Sequence, residues 1–466
     1  MATEVPQMKV AVIGSGIAGL AAAHTLRGMV DVSLFEAGPY FGGHTHTVQV
    51  TLPTAQGPVT HGVDTGFLVF NERTYPTLIA LFGELGVATT KSDMSFSVQA
   101  MDAFEQAVEH AGEPTGIGRT LEWSGTSLNT VFAQRRNVLN WRFLTMLRDL
   151  LRFNKLATRI AVDGQEAELS QGLGDFLQEH GFSAEFCDWY LLPMLACIWS
   201  CPTGQMLEFP VATMIRFCHN HGLIQTTNRP QWWTVPGGAG SYVDKITANI
   251  SDKRLGTAVR SIERVAGLGA DGASKVCIVT DGGRENFDKV IIATHSDQAL
   301  ALLYQPSMLE RQTLSAIQYQ SNKAVLHTET SMLPACKAAW AAWNYERASA
   351  ARHASGQAGV CLHYLINRLQ PLPWAQPVVV SLNPIRPIAR EKILGEFDYA
   401  HPVFDLPAMA AQREMHQLQG QKNSYFCGAW MGYGFHEDGL KAGVGAARQL
   451  LVDARLEARL AARVTA

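Results

Sequence analysis

The hexapeptide Gly14-Ser15-Gly16-Ile17-Ala18-Gly19 constrains this chain more than any other stretch. It follows Met8–Ile13, a β-branched run that is apolar on both faces, as a buried parallel strand must be. A helical run, Leu20-Ala21-Ala22-Ala23-His24-Thr25-Leu26, comes directly after it. The next strand-like run, Val32–Ala37, carries Glu36, which stands 17 residues beyond Gly19. In such a unit Gly14 permits the tight turn, Gly16 lets the backbone approach a pyrophosphate, and Gly19 lets helix and strand pack closely. The helix N-terminus at Ile17 and Ala18 offers free N–H groups and partial positive charge to the phosphates. Glu36, with Ala37 beside it, is placed to accept from both hydroxyls of a ribose. A glycine fingerprint alone is weak; set between strand and helix, with the acid at this distance, it is specific. The fold class this predicts is α/β, with a Rossmann-type dinucleotide lobe.

Length and composition limit the rest. A chain of 466 residues exceeds one core and implies two or three domain-sized units. Apolar residues make up 47% and charged residues 17%, a composition that excludes disorder. Lys and Arg total 38 against 41 Asp and Glu, so no global basic excess invites nucleic acid. The eight cysteines are irregularly spaced and form no CxxC. Cys197 with Cys201, and Cys218 with His219 and His221, are poor metal spacings. Free thiols in a reducing compartment are the expectation, with no metal. No run of about 20 apolar residues predicts a spanning helix. The early apolar run Val10–Ile13 is needed by the glycine loop and does not read as a leader, so a cytoplasmic chain is expected.

Later motifs narrow the cofactor. Gly42-Gly43-His44-Thr45 comes just after the ribose acid, and Asp64-Thr65-Gly66-Phe67 follows. Val259, in RLGTAVRSIER, and Ala293-Thr294-His295, in FDKVIIATHSDQAL, read with KVCIVTDGGREN as strands of a second small sheet. Near the C-terminus, Cys427-Gly428 leads through a glycine-rich loop to His436 and Asp438-Gly439-Leu440. From Met8 to about Leu451 the chain resembles the FAD-dependent amine oxidase superfamily, which includes monoamine oxidases, protoporphyrinogen oxidase and phytoene desaturases. The resemblance implies non-covalent FAD. Its contacts would be Gly14, Gly16, Ile17, Ala18, Gly19, Glu36, Ala37, Gly42, Gly43, His44, Thr45, Gly66, Phe67, Val259, Ala293, Thr294, Gly428, Asp438 and Leu440. It further implies an FAD-binding lobe from 1–95, 236–310 and 416–466, and an α+β substrate lobe from 96–235 and 311–415. Lys323 matches a strand that carries a flavin-side lysine in monoamine oxidases. His436 falls where those enzymes place one aromatic of a substrate cage, with Tyr433 and Phe435 nearby. Both Lys323 and His436 are therefore the catalytic candidates, and Tyr433 and Phe435 the substrate-pocket candidates.

More narrowly, GGHTHTV, DTGFLVFN and GAWMGYGFHEDGLKAG are similar to a bacterial subgroup of predicted FAD/NAD-binding oxidoreductases associated with fatty-acid modification. That implies a hydrophobic or lipid substrate. The expected reaction is desaturation or dehydrogenation of an acyl chain by hydride transfer to flavin N5. Amine oxidation to an imine and hydrogen peroxide, or isomerisation, are the alternatives.

One segment stands apart in charge. Residues 135–159 hold Arg135, Arg136, Arg142, Arg148, Arg152, Lys155 and Arg159 against Asp149 alone, interleaved with Trp141, Phe143 and several leucines. This predicts a basic amphipathic helix, either packed on the core or lying on an anionic membrane surface.

Overall fold

The computed structural model describes residues 8–100, 120–164, 169, 171–200, 203–225, 229–265, 275–347 and 361–464, with side chains excepted at Val265 and beyond Arg455. A five-stranded parallel sheet forms one layer, in the order Asp252–Arg254, Asp31–Phe35, Lys9–Ile13, Lys289–Ile292, Ser424–Phe426. Val10 and Val12 of the central strand are fully buried, which explains its two-sided apolar pattern. The helix Ile17–Leu26 returns along this sheet. Its alanine-rich surface lets the C-terminal helix His436–Val464 cross it closely.

The small second sheet differs from its sequence reading in one strand. Val259–Val265, Lys275–Thr280 and Gly283–Phe287 form a three-stranded antiparallel sheet. The next segment, Lys289–Ile292, leaves it and inserts into the parallel sheet beside Lys9–Ile13. Its residues are buried on both faces, as a central strand requires and a sheet edge does not.

The other lobe is built on a seven-stranded sheet. Its order is Ile393–Pro402, Tyr319–His327, Val379–Leu382, Cys361–Leu365, Trp343–Arg347, Phe96–Ala100, Leu121–Ser124. All neighbours are antiparallel except Trp343–Arg347 with Phe96–Ala100. Helices Trp141–Val162, Leu173–Glu179, Leu192–Trp199 and Val211–Asn220 complete this lobe. Among the described residues no helix is long and apolar enough to cross a membrane. The seven described cysteines are free thiols; Cys201 lies outside the described residues.

Candidate functional site

The glycine loop has the geometry its spacing demands. Gly14 has φ +98°, and its N–H donates to Phe35 O at 2.8 Å, closing the turn between the two strands. A Cβ on Gly19 would stand 1.9 Å from Gly14 O, so helix and loop touch there. Gly16 is the opposite case: a Cβ there would meet no atom within 4 Å. Gly42 N–H donates to Ser15 O at 3.1 Å, which seats the Gly42-Gly43 turn on the same loop. Glu36 is aimed by three donors: Ser15 N–H at 2.9 Å, Ser15 Oγ at 2.5 Å and Gly38 N–H at 2.8 Å. A carboxylate has about four acceptor positions, so one remains for a ligand hydroxyl.

These groups open on one cavity of about 750 Å³. Gly14, Gly16, Ile17, Ala18, Glu36, Ala37, Gly42, Gly43, His44 and Thr45 line its first half. Gly66, Phe67, Val259, Ala293, Thr294 and Gly428 continue it to Tyr433, Phe435 and His436. The sequence spacing thus brings residues from both ends and the middle of the chain to one wall.

Four predicted residues stand off that wall. Gly19 lies behind the loop, as its packing role requires. Leu440 is 1% exposed and belongs to the core. Asp438 turns inward at the start of the last helix and accepts from Tyr433 N–H at 3.1 Å and Phe435 N–H at 3.0 Å. It holds the loop that carries those two rings, and burial raises its pKa to about 6. Lys323 is not brought to the cavity. It is exposed and pairs with Glu396 at 2.6 Å. The cause is strand parity: side chains alternate faces, so Asn322 and Ala324 turn inward and Lys323 outward. Cys427 is buried and off the cavity wall.

His436 sits at the deep end. Its ring stacks on Phe67, with centroids 3.9 Å apart and planes 15° from parallel. Its Nε2 shares a 2.6 Å hydrogen bond with the Tyr242 hydroxyl, which in turn shares 2.6 Å with Thr45 Oγ1. Burial lowers the His436 pKa to about 3. Burial thus favours the neutral ring, and its hydrogen bond to Tyr242 suits an orienting role in the pocket. Three further histidine positions share this environment. His44 lies 5.2 Å from His401 and 6.4 Å from His295, ring to ring. Burial lowers the pKa of all three, and His44 Nε2 has no hydrogen-bond partner. His295 stands in the Ala293-Thr294-His295 motif but is not among the site residues that the sequence singles out, and Tyr242 and His401 are revealed by their tertiary placement. Asn322, one residue from Lys323, shares 3.2 Å with His401 Nδ1.

Beyond the cavity lies a second chamber of about 360 Å³. The two share Met94, Ile198, His221, Leu223, Trp232 and Trp343 as walls. Trp123, Tyr190 and Met194 line the far side. Among the described lining residues of both chambers the carboxylates are Glu36 and Asp93. Both are engaged, Glu36 as above and Asp93 with Ser95 and Arg368.

The flavin containing amine oxidoreductase family matches residues 17–372, more than half of the chain. The chain belongs to this family. Solved structures agree on the fold. Cyclohexylamine oxidase from Brevibacterium oxydans IH-35A superposes at TM-score 0.63 with 16% identity, covering 97% of this chain and all of that one. Putrescine oxidase bound to putrescine gives 0.63 at 14% identity, covering 96% and 99%. The fatty acid isomerase from P. acnes that produces CLA gives 0.61 at 16% identity, covering 95% and 98%. No curated protein matches the chain.

FAD is the family's cofactor, and this flavoprotein's residues fit it. The space beside Gly16 admits a pyrophosphate, the oriented Glu36 suits a ribose, and the unpartnered His44 Nε2 is a buried polar atom at the same loop. Gly14, Gly16, Glu36, Gly42, Gly43, Val259 and Thr294 would hold the cofactor. A different cluster has metal-like spacing: Glu346, Cys361 and His363 in the seven-stranded sheet. There Glu346 is already paired with Arg386 at 2.6 Å and with His363 Nε2 at 2.9 Å, and His363 Nδ1 shares 2.7 Å with Ser381 Oγ. It is a closed buried network. The Cys197 and Cys218 positions do not enter it.

Proposed function

We propose that this flavin oxidoreductase is a dehydrogenase or desaturase of a lipid acyl chain. The observation that carries the reading is the second chamber. The flavin cavity continues past Ile198, Trp232 and Trp343 into a chamber with apolar and aromatic walls at Met94, Phe96, Trp123, Tyr190 and Met194 and polar groups at Asp93, Arg229 and Gln231. The apolar walls suit a long hydrocarbon, whose burial contributes roughly 0.8 kcal/mol per CH₂. Bound FAD supplies hydride-accepting chemistry at N5. The chain's own residues bind and orient. Phe67 and Tyr242 fix the His436 ring, and Asp438 fixes the loop bearing Tyr433 and Phe435. These rings wall the reacting segment of the chain and exclude water.

The amine oxidase reading is weaker at this site. A substrate ammonium would meet no uncommitted carboxylate among the described lining residues, and desolvating that charge without a partner is costly. Product mass separates the readings. Incubation with phospholipids and free fatty acids, followed by mass spectrometry, should show acyl chains that have lost two hydrogens. Unchanged mass with a moved double bond would favour isomerisation, and conversion of amines alone would overturn the lipid reading.

A further inference from the structure

The helix Trp141–Val162 has 22 residues and so runs about 33 Å along the substrate lobe. Its inward face is a normal core face: Phe143, Met146, Phe153, Ala157 and Ile160 are buried. The leucines of the sequence pattern do not all join it. Trp141, Leu144, Leu151 and Val162 point outward and are 70%, 43%, 59% and 68% exposed. At 100° per residue these four share one face with Arg148, Arg152, Lys155 and Arg159, all exposed. The preceding turn adds Leu139, which is 90% exposed. The acid within the helix, Asp149, is buried; it accepts from Ser183 N–H at 3.0 Å and pairs with Arg148 at 3.1 Å and with Arg152 at 3.7 Å, so Lys155 and Arg159 carry the outward charge of this face.

An outward face that mixes large apolar side chains with cations, with an exposed acid only at the C-cap Asp163, is poorly suited to water. Scattered exposed leucines are ordinary; a tryptophan and several aliphatic groups in one row are not. We propose that this face docks the enzyme on an anionic lipid surface. The apolar tips would enter the headgroup boundary while the lysine and arginines reach lipid phosphates. The charge sign commits the proposal to an anionic bilayer. The helix also joins the surface to the site. Phe143, on its inner face, packs edge-on against Trp123 at 5.9 Å, and Trp123 is a wall of the second chamber. A docked enzyme would thus hold its acyl chamber one helix away from the source of acyl chains.

The test is co-sedimentation of FAD-loaded enzyme with vesicles of pure phosphatidylcholine and of phosphatidylcholine with phosphatidylglycerol. Two double variants are compared, Lys155→Glu with Arg159→Glu, and Trp141→Ser with Leu144→Ser. All four positions are exposed, and flavin absorbance and melting temperature report on folding. The expected result is binding to the anionic vesicles only, reduced about tenfold or more by either double variant, with flavin content and melting unchanged. Absence of wild-type binding, or equal binding by the variants, overturns the proposal. So does sedimentation velocity showing that Trp141→Ser with Leu144→Ser merely splits a dimer, which would assign the face to a second copy of the chain. Since vesicle binding is read without turnover, its failure is distinguishable from failure of the lipid-substrate reading.

Discussion

The hydroxyl of Tyr242 and Nε2 of His436 lie 2.6 Å apart across 194 positions of sequence, and this contact fixes the deep wall of the flavin cavity. Tyr242 comes from a helix packed beside the glycine loop, and His436 begins the C-terminal helix. Tyr242→Phe leaves the buried ring nitrogen without its partner. It should cost about 1–3 kcal/mol of stability and lower turnover more than it lowers FAD affinity. Thermal unfolding, flavin titration and steady-state rates check this; FAD release with unchanged turnover per bound flavin would contradict it.

The glycine loop offers two substitutions with opposite outcomes. Gly16→Ala meets open space in the protein, so the fold should persist with FAD content sharply reduced. Gly19→Ala drives a methyl group into Gly14 O and should destabilise the protein itself. Absorbance at the flavin band and the melting temperature of each variant separate loss of cofactor from loss of fold.

Acid should destabilise the protein below neutrality. Burial lowers His436 to about 3 and His221, His327 and His401 to about 4, and holds His44 well below its ordinary value. Between pH 6.5 and 4 the unfolded chain binds protons on these rings and the folded chain does not. Their stabilisation is therefore complete above about 6.5 and is lost as pH falls toward the folded values. Two carboxyls oppose this: burial raises Asp64 to about 7 and Asp438 to about 6, so both bind protons preferentially in the fold. Five rings against two carboxyls leave a net loss. Melting temperature should fall from pH 7 to pH 5, less steeply in His401→Gln. A rise over that range would contradict the assignment.

The nucleotide half of the site was legible because its signals are local. Turn, helix start and ribose acid all lie between Gly14 and Glu36, where spacing alone implies geometry. The other half was not. Nothing near Tyr242 in sequence announces its contact with His436, and nothing marks Ile198 or Trp343 as the neck between two chambers. Lys323 shows a different limit: the strand was visible, but its parity was not, and a shift of one residue exchanges a solvent-facing lysine for the inward Asn322.

Lys323→Met should leave turnover within about twofold of wild type, since an exposed ion pair contributes about 0–1 kcal/mol. A tenfold loss, read by steady-state rates at saturating substrate, would bring that strand edge into the reaction.

The neck should control chain length. Ile198→Trp adds bulk between the chambers and is expected to raise KM for long acyl substrates several-fold while sparing short ones. Equal effects on both would mean that the second chamber takes no part in binding.

The most direct measurement is anaerobic mixing of the FAD-loaded enzyme with acyl lipids and, separately, with primary amines, following the visible flavin band. The acyl-chamber account predicts bleaching by a long-chain lipid and none by amines. Bleaching by amines but not by lipids would contradict it.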